Sequence, residues 1–78
     1  MKVITEYIAR SIVEYSEQVI VREFQTGNRV RLELSVAKED MGRIIGKNGR
    51  VANSIRALLR VIADHEGKQV LLDVIEPL

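Results

Sequence analysis

One stretch of this 78-residue chain gathers the residue types that can hold an anion: Gly46-Lys47-Asn48-Gly49-Arg50. Two glycines bracketing two residues let another backbone come close, because no Cβ stands in the way. The stretch leads into a helical pattern, and a helix N-terminus offers unpaired N–H groups and the positive end of its macrodipole to phosphate oxygens. Lys47 and Arg50 add charge, with Arg43 just upstream. From Met41 to Ala63 the chain carries five basic residues (Arg43, Lys47, Arg50, Arg56, Arg60) and no Asp or Glu. The other seven basic and eleven acidic residues leave −4, so a net charge of +1 conceals an island of +5. That is the footprint of an anion-binding surface. Ile44 and Ile45, with the apolar edge of the second strand, are expected to wall a dry groove for bases.

Other chemistries find little support. There is no Cys, hence no thiolate site, and the single His65 sits at a helix end between Asp64 and Glu66. A solvated His favoured by the C-terminal dipole accounts for it better than catalysis. Scattered carboxylates plus one His have no metal-ligand spacing. Gly42-Arg43-Ile44-Ile45-Gly46-Lys47 invites a phosphate-loop reading, but three residues separate the glycines where that motif needs four. Asn48 also stands where Ser or Thr should hold magnesium, and the preceding segment reads as helix. The dinucleotide fingerprint fails on spacing too. The three aromatics, Tyr7, Tyr15 and Phe24, all lie outside the basic island. No enzyme and no cofactor are expected.

The elements that must position the loop are legible from periodicity. Ile4, Ile8 and Ile12 recur every four residues, with Glu6, Arg10 and Glu14 on another face, so Lys2–Tyr15 is predicted as an amphipathic helix. Val19–Phe24 is rich in β-formers, and Val30, Leu32, Leu34 and Val36 alternate with polar residues. Thr26-Gly27-Asn28 between them makes the pair a hairpin. A short helix is predicted over Lys38–Ile45, with Glu39 and Asp40 suiting its dipole and Gly46 in the αL conformation at its end. The longest helix spans Arg50–His65, its core stripe being Val51, Ile55, Leu58, Leu59 and Ile62. Gln69–Ile75 reads as a strand with substantial burial, and Pro77 closes the chain. The order is α-β-β-α-α-β, and nothing resembling a linker interrupts residues 1–78. We expect a single α+β domain with a three-stranded mixed sheet in order 1-2-3 and three helices on one face.

A chain this short buries only about 60% of its unfolded surface, so stability must come from packing. Its 46% hydrophobic and 29% charged residues are the balance of a folded domain. No apolar run approaches the roughly 20 residues of a membrane span. Glu6 and Arg10 break any signal-like pattern over Val3–Val13, and a cytoplasmic address without membrane association is expected.

Ile44-Ile45-Gly46-Lys47-Asn48-Gly49-Arg50 resembles the I-G-x-x-G core of KH domains, and the order α-β-β-α-α-β resembles their type II arrangement. The whole chain is similar to the small stand-alone bacterial KH proteins of the KhpA type. Asp40-Met41-Gly42-Arg43-Ile44-Ile45, the Tyr7-Ile8-Ala9 helix and Glu66-Gly67-Lys68 before the last strand all carry the likeness. The resemblance implies single-stranded RNA binding through the loop by Gly46, Lys47, Asn48, Gly49 and Arg50, with Arg43, Ile44 and Ile45 beside it. It implies a post-transcriptional regulator or RNA chaperone. It further implies a homodimer, or pairing with a larger KH protein that carries a second single-strand-binding domain, and a link to cell elongation and envelope synthesis. The alternative is a protein–protein dimerisation module that binds RNA weakly.

Three residue-level expectations follow. Arg56 and Arg60 are read as a solvated helix face. Gly42 is read as serving close helix packing. Val61, with Ala57, Ser54 and Leu58, forms a strip on the long helix on which a symmetry mate could pack.

Overall fold

The structure, a computed structural model, describes residues 1–76; Pro77 lies outside them. Six elements form the fold: α1 (Lys2–Ile12), β1 (Ile20–Thr26), β2 (Arg29–Ser35), α2 (Met41–Ile45), α3 (Arg50–His65) and β3 (Gln69–Ile75). The sheet has order β1-β2-β3, with β1 and β2 antiparallel and β2 and β3 parallel. This is the expected α+β, type II KH architecture.

The hairpin turns on Gly27-Asn28, with Gly27 at φ 60°, as a tight turn with glycine in its first central position requires. The register then pairs Val30 with Gln25 and with Val70, so the even-numbered residues of β2 share one face. Val30, Leu32 and Leu34 are buried there against Ala9, Ile44, Ile55, Leu59 and Leu72. α2 and α3 sit between β2 and β3 in the chain, which is the crossover parallel neighbours need.

Four details differ from the periodicity. α1 stops at Ile12, three residues early. Its next residue, Val13, is extended, and the N–H groups of Glu14 and Tyr15 go to the Asp40 carboxylate, at 3.0 Å each. A longer helix would have used those donors internally. The buried face of α1 is Thr5 and Ala9, small residues that lie close on the sheet, while Ile8 and Ile12 are half-buried and Ile4 is exposed. Lys38–Asp40 is a separate 3₁₀ turn before α2. β3 is an edge strand covered on one face only, so Leu72 alone is buried and Leu71 and Ile75 face out.

The core stripe of α3 also shifts. Ala52, Ile55, Leu59 and Ala63 are buried, Val51 and Ile62 are half-buried, and Leu58 is 44% exposed. Small Ala side chains let the helix sit close over the sheet. Apolar type alone could not show that Leu58 lies on its shoulder.

Candidate nucleic-acid interface

The loop between α2 and α3 is built from left-handed backbone. Gly46 has φ 74°, ψ 174°, Asn48 φ 57°, ψ 28°, and Gly49 φ 75°, ψ 13°. Gly46 is therefore not the αL cap the sequence suggested; its φ/ψ pair belongs to a region essentially restricted to glycine. The αL residues are Asn48, a type that tolerates it, and Gly49. Gly46 N–H still closes α2 by donating to Gly42 O at 2.8 Å. Lys47–Gly49 then forms one 3₁₀ turn, in which Gly49 N–H donates to Gly46 O at 3.2 Å.

The two glycines act differently. A Cβ on Gly46 would stand 2.5 Å from Val51 Cγ2 and 2.8 Å from Val51 N, so the turn is packed against the start of α3. A Cβ on Gly49 would meet only the Asn53 side chain, at 3.7 Å; its other surroundings are open. Lys47, Asn48 and Arg50 are exposed. Neither Lys47 nor Arg50 joins an ion pair among the described residues. Two exposed cations without carboxylate partners thus stand on a turn that is open to solvent at Gly49.

Arg43 is differently placed. Its guanidinium lies 3.8 Å from Glu14 and 3.7 Å from Asp40, so its charge is already partly answered. Ile44 corrects the groove-wall expectation: it is fully buried in the core and anchors the loop from beneath, leaving Ile45 as the exposed apolar neighbour. β2 is the central strand and has no edge to offer; the free edge beside α3 belongs to β3.

That edge brings in residues the sequence undervalued. Arg56 Nε donates to Leu72 O at 3.2 Å and its Nη1 to Asn53 Oδ1 at 3.1 Å. A polar track therefore runs from the open side of Gly49 through Asn53 and Arg56 to β3. Arg56 is not a solvated helix arginine, whereas Arg60 is exposed as expected. A period-3.6 projection shows Arg56 on the flank of α3, but only the strand's position reveals what that flank faces. Gly42 also departs from expectation: a Cβ there would meet nothing within 4 Å, so close helix packing does not explain it.

Asp40 supports the site from behind. It is buried, and burial raises its pKa. The N–H groups of Glu14 and Tyr15 lower it, as does the Arg43 charge, and the balance leaves its carboxyl below the ordinary Asp value. The clamp ties the start of α2 to the segment after α1.

On the other flank of α3, Ile8, Ile12, Val51, Ile55 and Leu58, with Arg50 and Ser54, line a mainly apolar groove of about 380 Å³. Ser54, which also lines it, and Ala57 and Val61 are exposed, Val61 to 56%. Leu58, read from the sequence as a core residue, is exposed beside them. Among the described residues no three His, Asp or Glu gather as metal ligands, and no helix is long and apolar enough to cross a membrane.

A mixed 1-2-3 sheet, helices on one face and a glycine-bracketed turn between the second and third helices define a KH domain of type II. The family model for the KhpA/KhpB KH domain matches residues 2–74, and the chain belongs to that family. It is 43% identical over 75 residues to the RNA-binding protein KhpA of Clostridium acetobutylicum, covering 96% of this chain and 100% of that one. The RNA-binding protein KhpA of Halalkalibacterium halodurans is 38% identical over 76 residues, covering 97% and 100%. That of Chlamydia trachomatis is 41% identical over 76 residues, covering 97% of each chain. These relatives are named for binding and not for a catalysed reaction.

Proposed function

We propose that this protein binds single-stranded RNA, holding the backbone of about four nucleotides at Gly46–Arg50 and laying bases along the Asn53–Arg56 track toward β3. The observation that carries this reading is the loop itself. Left-handed residues open a backbone approach at the N-terminus of a 16-residue helix, where Lys47 and Arg50 stand without carboxylate partners. The names of the relatives support it. Ile45 and Arg43 flank the path, and Ile44 acts only by fixing the loop.

The working form in this reading is cytoplasmic and dimeric. A homodimer packs through Ser54, Ala57, Leu58 and Val61; a heterodimer would use the same strip against a larger KH protein with a second single-strand-binding domain. The role that fits is post-transcriptional regulation or RNA chaperoning, with the resemblance pointing to cell elongation and envelope synthesis. The exposed Leu58 and Val61 also favour a second reading, a dimerisation module with weak RNA binding. Retention on single-stranded RNA across a salt series separates the two. Site binding gives a log–log slope of about 0.7 per phosphate contact, and Arg50→Gln lowers it by about one unit of that size or less. A slope equally altered by Asp64→Asn, at the opposite end of α3 and in no ion pair among the described residues, would mean diffuse attraction and contradict a site.

A further inference from the structure

The helices leave one face of the sheet bare, and that face is not an ordinary polar surface. The register aligns Phe24, Arg31 and Leu71 in one cross-strand row and Thr26, Arg29 and Gln69 in the next. These six residues line a shallow cleft of about 660 Å³ at the hairpin end. Phe24 is 46% exposed and Leu71 55%. The Arg31 guanidinium lies over the Phe24 ring, 5.1 Å from its centroid, and a 2.8 Å bond to Glu33 holds it there. Arg29 makes no ion pair among the described residues, and no carboxylate lines the cleft. Outside Met41–Ala63 the chain has a net charge of −4; Arg31 is answered by Glu33, and Arg29 is the cation of the cleft left without a carboxylate partner among the described residues.

We propose that this cleft is a second contact site for single-stranded RNA. A base stacks on the Phe24–Arg31 pair against Leu71, and Arg29 meets a phosphate. An aromatic ring beside a planar guanidinium offers a stacking surface that any base can use. The apolar side chains come singly with cations between them, a pattern that matches alternating bases and phosphates better than the continuous apolar patch of a protein partner. The proposal rests on the loop reading, because both sites would engage one strand. α3 spans about 24 Å from the loop to its C-terminal end. There Gln69 N–H donates to Asn28 O at 2.8 Å, so the hairpin and the loop occupy opposite ends of the molecule. An RNA that fills only the loop cannot reach the cleft. A longer one engages both and gains effective concentration.

Fluorescence titrations of a 5-nucleotide and a 20-nucleotide unstructured RNA test this on the full chain. Phe24→Ala with Arg29→Gln leaves the buried core untouched. It should weaken the long RNA at least about fivefold, the loss of one base stack, and leave the short RNA unchanged. Equal affinity of parent and variant for the long RNA would overturn the proposal. A shift in mass by light scattering with no change in RNA affinity would overturn it too, by making the cleft a protein contact. Photocrosslinking of the long RNA to the unsubstituted protein gives an independent reading. Crosslinked peptides spanning Phe24–Arg31 support the cleft, and crosslinks confined to Lys47–Arg50 contradict it. Failure of the loop reading shows elsewhere: Lys47→Asp with Asn48→Asp would then leave the short RNA's affinity unchanged.

Discussion

Gly46 and Val51 are packed so closely that a single added carbon on Gly46 would lie 2.5 Å from Val51 Cγ2. Val51 belongs to the first turn of α3, so its backbone cannot retreat without moving the helix. Gly46→Ala therefore adds a clash to a φ of 74° that L residues rarely adopt. It should cost roughly 2–4 kcal/mol. Gly49→Ala meets open space and carries only the αL penalty of about 1 kcal/mol. It should affect RNA more than folding, because its open side is where a ligand backbone approaches. Denaturant midpoints and RNA titrations on the two variants check this; a more destabilised Gly49→Ala that binds normally would reverse the assignment.

Gly42 gives the opposite expectation. It sits inside α2 at an exposed position with room for a methyl group. Gly42→Ala should stabilise the fold by up to about 1 kcal/mol. A rise in the denaturation midpoint confirms a site free of packing constraint. A fall would show a contact that the open space does not reveal.

The Asp40 clamp predicts an acid limb in the stability curve. Its folded-state pKa lies below the unfolded value, about 3.9. The stability it contributes is thus fully present above that value and is lost as pH falls through the folded pKa. In Asp40→Asn the amide cannot accept from both Glu14 and Tyr15. That variant should be less stable at neutral pH and should lose less further stability below about pH 4. Thermal melts from pH 7 to pH 3 test it; parallel curves for the two proteins would remove Asp40 from the account.

Val61→Glu tests the dimer strip. Val61 is more than half exposed in the single chain, so the substitution should leave the fold intact. Across a twofold axis it would bury two facing carboxylates, which is unfavourable. Light scattering at tens of micromolar should give two chain masses for the parent and one for the variant. One chain mass for the parent excludes a stable homodimer through this face.

Period and turn chemistry made the six elements and the sheet order legible, because β2 alternates, β1 and β3 are rich in β-formers, and glycines mark the hairpin, the α2–α3 loop and the end of α3. The loop's residues were legible as a set because glycine spacing and charge survive in sequence. What stayed hidden depended on distance across the fold. The Asp40 bonds to Glu14 and Tyr15 span 26 and 25 residues, and no local signal says that the carboxylate leaves its own helix. Arg56 reads as one more surface charge until β3 is placed beside it. Ile44 and Ile45 are identical neighbours in sequence, and only helix orientation sends one into the core and the other to solvent.

The central claim, that the glycine-bracketed loop is the RNA site, is tested most directly by a double substitution at its exposed tip. Lys47→Asp with Asn48→Asp keeps residue types that the turn accepts, since Asp, like Asn, tolerates the left-handed conformation of residue 48. It also places two carboxylates where phosphates should lie. In a gel-shift titration with a short single-stranded RNA, the parent should bind and the double variant, with an unchanged denaturation midpoint, should not. An unchanged titration curve for a folded double variant would contradict the account.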